Sequence, residues 1–136
     1  MSFPCEDGER RTENFATLRL AGGPLAAPVL CRVVSMVLAR ADCPMNRLDD
    51  ALIVCDALSA SAPAHSVDGR LDFTVSAYRG GVELRVGSLE QEGALGIVHD
   101  ALVPGVGNVL ERISDEVRVV PAGEGEPEQL VLALGF

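Results

Sequence analysis

The chain has 136 residues, 48% of them hydrophobic, which suits a single domain with a sizeable core. Its formal net charge of -9 argues against a general nucleic-acid-binding role, because neutralising phosphates needs a basic surface. Aromatic residues make up only 4%, Trp is absent and all eleven basic residues are Arg, so the core must come from Leu, Val and Ala.

Residues 1–13 are polar and charged and read as a flexible tail, with no hydrophobic signal core. Residues 14–20 alternate weakly and predict a first strand, closed by the turn signal Gly22-Gly23-Pro24. A helix is predicted over 26–41, packing through Val29, Leu30, Val33, Val34, Val37 and Leu38, with Pro28 tolerated in its first turn. The longest apolar run lies within this helix. It is interrupted by Arg32, Ser35 and Arg40 and is too short for a membrane span. No membrane association and a cytoplasmic location are therefore expected. Acidity of this degree suits a basic partner, or simply a solvated surface.

A second amphipathic helix follows Pro44, with Asn46 as its expected N-cap and Asp49 and Asp50 near the positive end of its dipole. Leu48, Ala51, Leu52, Cys55, Leu58 and Ala62 recur at spacings of three and four and define its buried face. Pro63 is expected to end or kink this helix near Ser61 or Ala62. Residues 70–77 alternate cleanly, with Leu71, Phe73 and Val75 inward. Gly80-Gly81 marks a hairpin into a second alternating run over 82–86. A polar connection over 87–93 leads to a short helix over 94–103, using Leu95, Val98, Ala101 and Leu102. Another helical segment over 108–114 uses Val109, Leu110 and Ile113. Strands over 116–120 and 129–134 close the chain. The order predicts an α+β two-layer sandwich: a mostly antiparallel sheet with helices on one face.

The chemistry is sparse. Asp56 is a candidate general base, set against the plain reading of a solvated helix Asp. His65 and His99 can hydrogen-bond a ligand or serve as ordinary surface histidines. Gly105 and Gly107 precede a helical segment and can cradle phosphate through backbone N–H groups, or form a plain turn. Cys5, Cys31, Cys43 and Cys55 form no CxxC pair, so no metal site or disulfide framework is expected. There is no HExxH and no serine-nucleophile motif.

Three segments together resemble the bacterial anti-sigma-factor serine kinases of the GHKL superfamily, which share the Bergerat fold with histidine-kinase ATPase domains. LAAPVLCRVVSMVLARADCP looks like that family's first helix. LDDALIVCDALSASAPAHS looks like its second, and GVGNVLERISDEVRVV with EQLVLALGF looks like its late glycine box and last strands. The likeness covers residues 14–136 as one ATPase-type domain. It implies that Asp56 holds the place of the family's catalytic Glu and Ala60 that of its magnesium-holding Asn. It also implies that Gly105 and Gly107 keep part of the ATP site, whose cofactors would be ATP and magnesium.

The departures imply an impaired site. Ala60 cannot coordinate a metal. His65 lies one residue beyond the family's His, and no Asp of a DxGxG box follows the strand over 82–86. The expectation is a pseudo-kinase that regulates transcription by binding a sigma factor or a STAS-type anti-anti-sigma protein. The alternatives are an active ATP-dependent serine/threonine protein kinase and a non-catalytic dimerisation domain forming a homodimer.

Overall fold

A computed structural model describes residues 14–136; the tail and Cys5 lie outside the described residues. Strand β1 (Asn14–Ala21) leads into helices α1 (Ala26–Arg40) and α2 (Met45–His65). The hairpin β2 (Arg70–Tyr78) and β3 (Gly81–Leu89) follows, then α3 (Gly93–Asp100). A small hairpin of β4 (Leu102–Val103) and β5 (Gly107–Asn108) leads to the five-residue helix α4 (Val109–Ile113). Strands β6 (Glu116–Val120) and β7 (Glu128–Gly135) complete the chain.

The five long strands form one sheet in the order β1-β2-β3-β7-β6, with every neighbouring pair antiparallel. Leu71, Phe73 and Val75 of β2, Leu84 of β3 and Leu130, Leu132 and Leu134 of β7 share one face, as strand alternation requires. They merge into a single core with Leu30, Val34 and Leu38 of α1, Val54, Cys55 and Leu58 of α2, and Ile97 of α3. The molecule is thus α+β with a mostly antiparallel sheet, an arrangement compatible with a two-layer sandwich. No described helix is long and apolar enough to cross a membrane.

Several boundaries differ from expectation for identifiable reasons. Pro44, not Asn46, takes the N-cap position of α2, in an extended conformation with its carbonyl accepting from Arg47 and Leu48. Pro63 does not stop α2, which runs on to His65. A proline so near the end removes only one backbone bond. Ser66 then closes the helix on the Pro63 carbonyl through both its N–H and its hydroxyl, the latter at 3.0 Å. Strand β3 continues to Leu89 through a register shift between Val86 and Leu89, a bulge at Gly87-Ser88.

Helix α3 stops at Asp100, because Leu102-Val103 pairs instead with Gly107-Asn108 around the Pro104-Gly105 turn. Leu95 and Leu102 consequently face solvent, and Ala94, Ile97 and Ala101 take the buried places. Val29 of α1 is also partly exposed rather than core, whereas Val54 of α2 is fully buried.

Candidate functional site

The polar side chains of α2 fall on two different sides of the helix. At 3.6 residues per turn, Ser61 and His65 lie about 140° and 180° around the axis from Asp56, and Ala60 only about 40° from it. Asp56 and Ala60 face solvent. Asp56 stands toward α1: after burial, its carboxylate is the second cause raising the pKa of the Cys31 thiol. No hydrogen bond or ion pair links the Asp56 carboxylate to another described side chain or to the Gly105–Gly107 turn; its backbone carbonyl accepts from Ser59 Oγ at 3.0 Å.

Ser61 and His65 instead face α3. Asp100 Oδ2 accepts from Ser61 Oγ at 2.7 Å and meets His65 Nε2 at 2.9 Å. Two glycines make this approach possible. A Cβ on Gly96 would meet the His65 ring at 2.4–3.0 Å, and one on Gly93 would meet the His65 carbonyl oxygen at 2.8 Å. The Glu90 N–H completes the junction by donating to that carbonyl at 2.9 Å. The three side chains do not form a nucleophile and base, because His65 reaches the carboxylate and not the Ser61 hydroxyl. They form a lock between two helices. His99, the other sequence candidate, is exposed.

The hydrogen bond from Ser61, then that from His65, hold the Asp100 carboxyl below its usual range. A carboxylate with a depressed folded-state pKa stabilises the fold above its unfolded pKa of about 3.9, and the contribution disappears as pH falls through the folded value. Asp100 is half exposed, so the stabilisation falls in the surface range of about 0.2–1 kcal/mol. Asp100→Asn should therefore lower stability modestly at pH 7. Urea unfolding should show the difference from the wild type shrinking as the pH falls below about 3.9 and on through the lower folded value; a constant difference across that range would contradict this assignment.

The N-terminus of α3 is occupied by the protein's own carboxylate. Glu128, at the start of β7 and only 7% exposed, accepts from the Glu92 N–H at 3.1 Å and the Ala94 N–H at 2.8 Å. Glu92 adopts a left-handed conformation, φ 64°, that turns the chain around this carboxylate. The start of α4 is likewise capped by the protein's own side chain. Asn108 accepts from the Glu111 N–H at 3.2 Å and donates to the Val98 carbonyl at 2.6 Å. Gly105 and Gly107, with φ of 82° and 102°, shape the turn before it, and Arg112 holds the Val106 carbonyl at 2.9 Å.

The solvent-facing side of the sheet carries a shallow concavity of about 340 Å³ over Gly87, lined by Thr17, Arg19, Asp72, Thr74, Arg85 and Gln129. Its charges are already paired. Arg19 binds Asp72 through two nitrogens, at 2.8 and 3.3 Å, and holds that carboxyl below its usual range. Arg85 binds Gln129 at 2.6 Å and Glu83 at 3.3 Å.

Sequence reasoning singled out His65 but missed Ser61, Asp100 and Glu128. The i, i+4 spacing of Ser61 and His65 was a readable sign of a shared helical row. Nothing in the sequence pairs that row with Asp100. No protein-family model matches the chain, and no curated protein matches its sequence.

Proposed function

We propose that this chain is a non-catalytic relative of the anti-sigma-factor serine kinases, on a Bergerat-type fold. It works by binding a sigma factor or a STAS-type anti-anti-sigma protein in the cytoplasm rather than by phosphorylating one. The order strand, two helices, hairpin, helical region and two strands is the layout the sequence resemblance implies.

The observation that carries the reading is the lock of Ser61 and His65 onto Asp100. The family places Glu, Asn and His along its second helix at spacings near four. With His65 in the His position, Ser61 takes the Asn position and Ala57 the Glu position. With Asp56 as the base instead, Ala60 takes the Asn position. Neither register supplies the Glu and Asn pair. In the first, the Ser61 hydroxyl is committed to Asp100 and the His65 ring fills the space above Gly96. These residues do not fit a magnesium nucleotide, whose metal needs free oxygen ligands. The uninterrupted capping of α3 by Glu128 and of α4 by Asn108 points the same way.

Calorimetry with ATP and magnesium should give no heat beyond dilution at millimolar nucleotide. Binding tighter than about 1 mM, roughly 4 kcal/mol, would overturn the non-catalytic half of the proposal. The binding half is tested by pull-down against a panel of purified sigma and STAS proteins. It fails if no member of that panel is retained.

A further inference from the structure

Helices α1 and α2 lie side by side over the sheet, with Cys31 Sγ of α1 3.9 Å from the Leu52 carbonyl oxygen of α2. Each helix turns one row of side chains away from the core. At about 100° per residue, Leu25, Val29, Arg32 and Met36 fall within an arc of about 60° on α1, with Leu25 at its N-cap. Met45, Asp49, Ile53, Asp56 and Ala60 fall within an arc of about 80° on α2. A row facing solvent is ordinarily polar, yet Leu25, Val29, Met36, Met45 and Ile53 are 40–75% exposed on this one outer surface.

The charges divide by helix. Arg32 is the cation of the α1 row, and Asp49 and Asp56 are the anions of the α2 row. Their side chains form no ion pair or hydrogen bond among the described residues.

We infer that this outer surface is the contact between two copies of the chain, related by a two-fold axis along the seam between α1 and α2. Such an axis lays α1 of each copy over α2 of the other, so the same contact is made twice and the assembly closes. It also preserves height along the helices. Cys31 is level with Leu52, so Arg32 meets the turn of the other copy that carries Ile53 and Asp56. Val29 and Met36, about one turn to either side of Arg32, bracket that Ile53. The apolar residues supply affinity and the charges select the register.

The division of charge favours a second copy over an unrelated partner. A uniformly basic partner would suit α2 and be repelled by α1, and a uniformly acidic one would do the reverse. A two-fold axis sets each half against its complement. The formal charge of -9 on each copy opposes association, but at physiological salt the screening length is about 8 Å, so the facing residues outweigh remote ones. The surface lies on the outer side of the helices, away from the open margin of the sheet at β1, and the inference is independent of the proposed partner.

The test is sedimentation of the full chain over a wide concentration range. The wild type should dimerise reversibly below about 1 mM. Ile53→Glu should weaken the dimer about tenfold or more. Arg32→Asp and Asp56→Arg should each do the same, because like charges then face each other at both contacts. Mixing these two variants should restore the dimer, since every contact across the axis becomes Asp against Arg. A role confined to one chain cannot be rescued by a second chain in this way. A wild type that stays monomeric to about 1 mM would overturn the inference. So would a dimer indifferent to Ile53→Glu, or a mixture that associates no more tightly than either variant alone.

Discussion

Glu128→Ala is expected to lower the unfolding free energy by about 2–4 kcal/mol, the largest loss from any single polar residue in the described fold. Two backbone N–H groups at the start of α3 depend on that carboxylate, at 3.1 and 2.8 Å. Hydrogen bonds to a charged group contribute about 1.5–3 kcal/mol each in net terms, and loss of a helix cap costs about 0.5–2 kcal/mol. The effects overlap, so their sum is an upper bound. Burial sharpens the loss, because Glu128 is almost fully covered and water cannot easily replace it.

For a domain of this size the midpoint of thermal unfolding should fall by roughly 10 °C. Glu128→Gln keeps one acceptor oxygen and should lose about half as much. Hydrogen exchange at Glu92 and Ala94 should accelerate in both variants ahead of the sheet amides. A Glu128→Ala protein within about 0.5 kcal/mol of the wild type would show that the carboxylate does not hold α3 in place.

The consequence reaches the candidate site. Helix α3 supplies Asp100 to the lock with Ser61 and His65, so the Glu128 cap fixes one end of α3 to β7 and the lock fixes the other to α2. A helix of eight residues is marginal alone and takes its stability from such tertiary contacts. This double anchoring favours a permanently closed α2–α3 face over one that opens to admit a ligand.

The β2–β3 hairpin was readable because each strand alternates strictly and Gly80-Gly81 supplies the turn. Helices α1 and α2 were readable from their apolar spacing, which placed Ala51, Cys55, Leu58 and Ala62 of α2 in the core but missed Val54. The hairpin of β4 and β5 was not readable. Leu102 and Val103 continue a helical pattern, and only their pairing with Gly107-Asn108 pulls them out of it. The lock and the cap were hidden for a different reason. Ser61 and Asp100 are 39 residues apart, and Ala94 and Glu128 are 34 apart. Neither pair leaves a periodic trace, since a single charged residue at a strand start looks like any other. Local patterns determined the elements, whereas the site's geometry depends on how the elements meet.

Arg47→Met is the second substitution with a large expected effect, about 2 kcal/mol of lost stability. Arg47 stands in the first turn of α2 with its side chain only 18% exposed. Its guanidinium donates to Asp50 at 2.7 Å, to Asp115 at 3.0 Å and to the Gly135 carbonyl at 2.9 Å. It also reaches the Ile113 carbonyl at 3.4 Å. One side chain thus ties α2 to the end of α4, the start of β6 and the last residue of β7, across 88 positions in sequence. Met retains most of the apolar stem, so the loss isolates the polar part.

A fully buried ion pair broken on one side costs about 3–5 kcal/mol, but Asp50 and Asp115 are 34% and 62% exposed and solvent recovers part of that. Asp115 keeps its bond from the Gly135 N–H, which limits the loss further. The unfolding midpoint should fall by about 5–8 °C. Arg47→Lys should recover only part of it, because an ammonium cannot reproduce the planar fork that serves two carboxylates and two carbonyls at once. Equal stability of the Lys and Arg proteins would show that charge alone, and not this bonding pattern, holds the margin of the sheet to α2.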